Sequence, residues 1–257
     1  MSFSVNVLKM GEMPVPGPEV YWMSHWDEFV DLAFLMVVAR DGQNTVVVNT
    51  GPPPDLDPLN ALWKGFHPSG RVQFTREESE RPANALASLG VKPEDVTHVI
   101  LTPLVAYTCG NVNLFPNAQI IFSRRGWIED VMAPPYAVHI PRDIFVPPDV
   151  LKHLLFDAAD RVGLMDNGEV CRGVNVWWAG VHHRSSLAVV IDSKKGKVIA
   201  SDSFFLYGNV EQNHYLGVGE SYAEAMTTYA RVRDEADIIV PLYDGAVFDR
   251  YSGGVLA

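Results

Sequence analysis

Apolar residues in this chain come in short runs cut by proline, glycine and aspartate, a pattern of strands joined by tight turns rather than of long helices. Residues 3–9, 32–39 and 45–49 read as strands, and Asp41-Gly42 supplies a hairpin turn between the second and third. Residues 51–58 form a stiff loop rich in proline and aspartate. Thr75-Arg76-Glu77-Glu78 has the form of a capping box, but Pro82 interrupts a helix begun there, so a helix starting near Pro82 is the alternative. Either helix carries Ala85, Leu86 and Leu89 on one face and stops at Gly90. Strands are expected again at 98–102 and 119–123. Residues 124–170 break this rhythm with two Pro-Pro pairs and leave a short helix at 150–156. A strand pair at 187–192 and 197–201 flanks a Lys194-Lys195-Gly196 turn. Ser221-Tyr222-Ala223-Glu224 then caps a helix whose Ala225, Met226, Tyr229 and Val232 form an apolar stripe.

Composition narrows the class. A chain of 257 residues with 47% hydrophobic and 20% charged residues is long and apolar enough for one sizeable α/β domain, residues 1–257. Its formal charge of −11 argues against nucleic acid and anionic membrane surfaces as partners. No run approaches the ~20 apolar residues that span a bilayer, and residues 1–10 lack the features of a signal peptide, so the expected location is cytoplasmic. Cys109 and Cys171 are too few for a disulfide framework or a zinc ribbon. The partner left is a small-molecule ligand or substrate, with a homo-oligomer compatible with the composition.

The chemistry concentrates in a few segments. Thr97-His98-Val99-Ile100-Leu101-Thr102-Pro103-Leu104-Val105-Ala106-Tyr107-Thr108-Cys109-Gly110-Asn111 is a buried strand running into a glycine-punctuated loop. Thr45-Val46-Val47-Val48-Asn49-Thr50-Gly51 precedes it; Val181-His182-His183-Arg184-Ser185-Ser186, Asp202 and Ile238-Ile239-Val240-Pro241-Leu242-Tyr243-Asp244 follow. In this order and spacing, over roughly residues 45–250, they resemble the motifs of the metallo-β-lactamase superfamily, in its lactonase-like and esterase-like branch. The resemblance implies a four-layered αββα sandwich, two mixed sheets face to face with helices outside. It also implies a hydrolase ancestry and makes residues 124–170 an insertion bordering the pocket or an oligomer contact.

The resemblance places metal-ligand positions on Pro103, Val105, Tyr107 and Thr108, with Asn49 replacing an aspartate upstream and Tyr243 a histidine downstream. Only His182 and Asp202 match ligand positions with ligand residues. Tight catalytic zinc takes about three protein ligands, so no metal cofactor is expected; a single divalent ion on His182 and Asp202 is the alternative. Candidate catalytic groups are His182, Asp202, Tyr107, Tyr243 and Cys109, the last as a nucleophile paired with His182. Candidate substrate contacts are His139, His183, Phe205 and Tyr207, with Phe205 standing where relatives carry a carbonyl-binding tyrosine. On an extended segment the adjacent His182 and His183 would face opposite ways, and the resemblance selects His182 for the site. Tyr107 and Tyr243 have a bland reading, aromatic plugs for an emptied metal cavity, beside the catalytic one. Two functions stay open: a metal-independent or single-metal hydrolase of a small ester, lactone or related carbonyl compound, and a non-catalytic ligand-binding or assembly subunit.

Overall fold

The computed structural model describes residues 2–133 and 146–257. Its strands are β1 Ser4–Pro16, β2 Phe29–Arg40, β3 Thr45–Val48, β4 His98–Leu101, β5 Gln119–Phe122, β6 Val162–Leu164, β7 Asn167–Cys171, β8 Val174–Trp178, β9 Leu187–Ser193, β10 Gly196–Ser201 and β11 Ile238–Pro241. Among the described residues they form two sheets, one of six strands in the order β1 to β6 and one of five in the order β11-β10-β9-β8-β7. Both are mixed: β1, β2 and β3 run antiparallel and β3 to β6 parallel, while β11 joins an otherwise antiparallel sheet by parallel pairing with β10.

Alternation along β2 shows how the layers separate. Leu35 and Val37 pack toward the second sheet, against residues such as Val176, Val189 and Val198. Phe34, Met36 and Val38 pack the other way, with Leu59, Ala85 and Leu86 of the helices Asp57–Phe66 and Pro82–Ser88. A strand covered on both faces reads as a continuous apolar run, as 32–39 does. On the far side of the second sheet, Trp177, Ala188 and Ile199 meet Ala225, Tyr229 and Val232 of the helix Tyr222–Glu235. The result is the helix–sheet–sheet–helix sandwich that the motifs implied.

Local expectations fare unevenly. The Asp41-Gly42 turn forms, with the Asp41 carboxylate accepting from the amides of Gln43 and Asn44. Ser221 caps its helix by accepting from Glu224 N at 3.3 Å. Pro82 opens the helix Pro82–Ser88, so the Thr75 start is corrected: Thr75 pairs with Glu12 as a bridge strand, and Glu77 and Glu80 box a separate short turn. Met226 is corrected as well, being 51% exposed while Thr228 turns inward and donates to Ala179 O. The stretch 124–170 is less broken than expected, because β6 and β7 lie at its end; both are short, and polar or glycine-bearing positions hide the alternation.

Candidate functional site

The motif segments all leave one edge of the sandwich, where β3, β4, β10 and β11 end and β9 begins. Loops at the carboxyl ends of parallel strands are where open α/β sheets place ligands. Asp202, following β10, is fully buried and forms the hub. Thr102 Oγ1 donates to its Oδ1, while Ser186 Oγ and His182 Nδ1, the latter at 3.2 Å, both meet Oδ2. Burial raises the Asp202 pKa to about 6, and the Ser186 and Thr102 hydroxyls hold it from going further. Burial lowers His182 to about 3, so its imidazole is neutral at pH 7.

Both histidines reach this site, which corrects the expectation of one in and one out. The segment before β9 is coiled rather than extended: Val181 has φ 73°, His182 N bonds Gly180 O, and Ser186 N bonds His183 O. The two rings therefore lie 4.0 Å apart between centroids and line the same cavity. A left-handed backbone is unusual for a β-branched residue, and its neighbours hold it in place. Val181 N donates to Glu224 Oε2, and Arg184 forms a fork on Glu224 at 3.0 and 2.9 Å and pairs with Glu220.

The loop at 103–109 is knitted to itself and to its neighbours. Asn49, at φ 63°, grips the end of β4 by accepting from Thr102 N and donating to Thr102 O, both at 2.8 Å. Thr108 Oγ1 is taken up by the carbonyls of Pro103 and Val105, and Leu104 N donates to Ser185 Oγ. Leu104 and Val105 are wholly buried. Tyr107 reaches the cavity, its hydroxyl 3.5 Å from His183 Nε2. Tyr243 packs edge-on against Phe205, with centroids 4.8 Å apart, and near Phe34 at 5.0 Å. Phe205 meets His182 edge-to-face at 4.7 Å. Burial raises the pKa of both tyrosines, so both hydroxyls keep their protons at neutral pH.

These side chains close one end of a cavity of about 350 Å³ lined also by Met13, Val15, Leu32, Phe34 and Trp63. Sequence reasoning missed that apolar wall. The signal open to it was the spacing of Leu59, Trp63 and Phe66, one face of a helix that follows the 51–58 loop. Other candidates lie elsewhere. Cys109 is buried in the core beside the first sheet, bridged to Gly51, and is not in the cavity lining; burial raises its thiol pKa, which works against a thiolate nucleophile. Tyr207 also lies off the cavity, its ring under the Arg250 guanidinium at 3.4 Å. His139 lies outside the described residues. None of the described residues of 124–170 lines the cavity.

The donor set does not suit the metals that the motif positions imply. Pro103 and Val105 offer no donor atoms, the Thr108 oxygen is engaged by backbone, and Tyr107 and Tyr243 are held protonated. Among the described residues no three His, Cys, Asp or Glu side chains are placed to share an ion. The Tyr243 hydroxyl has the Tyr107 hydroxyl as its polar neighbour, deep in the site. A net hydrogen bond is worth about 1 kcal/mol, so Tyr243→Phe is expected to cost about that much stability or less. Urea unfolding of the variant measures this, and a gain of stability would show that Tyr107 does not satisfy the hydroxyl.

The architecture is the metallo-β-lactamase fold. The chain is similar in structure to an N-acyl homoserine lactone hydrolase holding N-hexanoyl-L-homoserine at its catalytic metal centre (TM-score 0.79, 19% identity, 97% of each chain covered). It is also similar to a dizinc quorum-quenching lactonase (TM-score 0.63, 15% identity, 90% of this chain and 83% of that one). A third similar structure is a hydrolase of the beta lactamase superfamily (TM-score 0.64, 14% identity, 90% and 81%). No family model and no curated protein matches the sequence. Among the described residues no helix is long and apolar enough to cross a membrane.

Proposed function

We propose that this chain is a hydrolase-like member of the metallo-β-lactamase superfamily that has lost the two-metal site. It acts instead on a small, largely apolar ester, lactone or related carbonyl compound in the cavity beside Asp202 and His182. The observation that carries the reading is the buried Asp202–His182 pair at the end of an apolar cavity of about 350 Å³. With the Nδ1 proton on Asp202, His182 keeps Nε2 as a lone-pair acceptor for the cavity. His182 takes a proton from water as the oxygen attacks the carbonyl, and Asp202 stabilises the imidazolium. The Tyr107 hydroxyl, held protonated, donates to the oxygen that becomes negative. Collapse of the tetrahedral intermediate expels the alkoxide, which takes the proton back from His182. Burial that keeps His182 neutral also makes it a weak base, so turnover is slow, with kcat/KM below about 10⁴ M⁻¹ s⁻¹.

A panel of aryl esters and γ- and δ-lactones tests this. Hydrolysis should appear for at least one apolar member and fall by about 100-fold or more in His182→Ala. Turnover indifferent to His182 would end the proposal. Binding of panel members without any product would favour the second reading, a non-catalytic ligand-binding protein; the close packing of the Tyr243 ring against Phe34 and Phe205, which suits a plug, supports that reading.

A further inference from the structure

Around Glu19 the cavity has a different character. Glu19 and Glu220 are the carboxylates in the cavity lining, Glu220 beside Val181 and Arg184, and among the described residues no lysine or arginine lines it. Glu220 is already answered by Arg184, which lies outside the lining. Among the described residues, the ion-pair partner within reach of Glu19 is His67, at 3.5 Å from Oε1 to Nε2. Burial raises Glu19 to about 7 and lowers His67, so at pH 7 His67 is neutral and does not neutralise the ionised fraction of Glu19. The wall beside them is the last turn of the helix Asp57–Phe66, which brings Trp63, Phe66 and His67 to the lining.

We propose that the cavity selects ligands that carry an amine on an apolar body, with the ammonium seated at Glu19 and the body directed toward the tyrosines. This rests on the cavity being the ligand site of the proposed function and adds the ligand's charge to it. Three features of different origin favour a cation at that place. Among the described residues Glu19 is a carboxylate with no lysine or arginine paired to it, and a positive charge there supplies a counter-ion. The C-terminal end of a helix carries partial negative charge that attracts cations within the last turn. Trp63 and Phe66 offer aromatic faces, and a desolvated cation gains from such faces. An anion meets all three with the wrong sign. A carboxylate product formed by ester hydrolysis would therefore be repelled from this end.

The test uses octylammonium, 1-octanol and octanoate, which share a chain and differ in head-group charge. Isothermal titration at pH 7 is expected to rank octylammonium first and octanoate last, about tenfold or more apart. In Glu19→Gln, which conserves shape on a partly exposed side chain, the gap should shrink to about threefold or less. Quenching of Trp63 fluorescence by octylammonium, lost in Trp63→Phe, reports occupancy of this end. Equal or tighter octanoate binding, an undiminished preference in Glu19→Gln, or no binding of any of the three would overturn the inference. Ester turnover is not read here: the preference can hold while the hydrolase reading fails, and turnover can hold while the preference fails.

Discussion

Asp202→Ala is expected to cost about 3–5 kcal/mol of folding stability, because it removes a shared acceptor and each buried donor left unsatisfied costs about 1–3 kcal/mol. The carboxylate accepts from Thr102 Oγ1 and Ser186 Oγ and meets His182 Nδ1, and all of these are buried where water cannot replace it. Asp202→Asn should keep the shape of the hub and lose less stability, yet abolish hydrolysis, because an amide cannot stabilise the His182 imidazolium. The pair of variants separates folding from chemistry. Urea unfolding and ester turnover measure the two effects, and an active Asp202→Asn protein would contradict the proposed role.

The pH dependence follows with opposite signs for stability and activity. The folded state holds the Asp202 proton up to about pH 6, whereas the ordinary value is 3.8. Between those values the folded state binds more protons than the unfolded chain, so this group's contribution to stability falls as pH rises from about 4 to about 6. Activity needs the ionised form and should rise with pH through about 6. Asp202→Asn should remove that slope from the stability profile.

The second large effect concerns metal. Structural zinc sites in small domains contribute about 10–16 kcal/mol of binding free energy through about four ligands. Here the motif positions supply His182 and Asp202, and no third His, Cys, Asp or Glu is placed to join them among the described residues. Zinc is expected to bind more weakly than about 10 μM and to leave well below one ion per chain after dialysis. Competition with a chromophoric chelator, followed by elemental analysis, measures this. One tightly held ion per chain would overturn the proposed loss of the site.

The fold was legible because its cues are local. Continuous apolar strands, the Asp41-Gly42 turn, the Ser221 cap and the ordered motifs each act over a few residues, and each appears close to where it was expected. Asp202, His182, Tyr107, Tyr243 and Phe205 come together because the motif segments leave a common edge. His183 was misjudged because its direction depends on the φ of Val181, and nothing in a β-branched residue announces a left-handed backbone. Cys109 and Tyr207 were adjacent to motif residues in sequence, yet the short helices that carry them turn their side chains off the cavity. The apolar wall, with Glu19 just after β1 and Trp63 on the helix Asp57–Phe66, is assembled from distant segments by tertiary packing alone.

Val181 has one more implication, for how long the site lasts rather than what it looks like. A β-branched residue at φ 73° is held there by the surroundings, so the peptide beside the histidines is under tension that the Glu224 carboxylate, on the Val181 amide, and the Glu220 amide, on the Val181 carbonyl, help restrain. Local relaxation of that peptide would swing both imidazoles out of register while the two sheets stayed intact. The paired arrangement of the two histidines would thus have its own lifetime, set by contacts from residues 220–224 at the start of the helix Tyr222–Glu235 and separate from the lifetime of the fold.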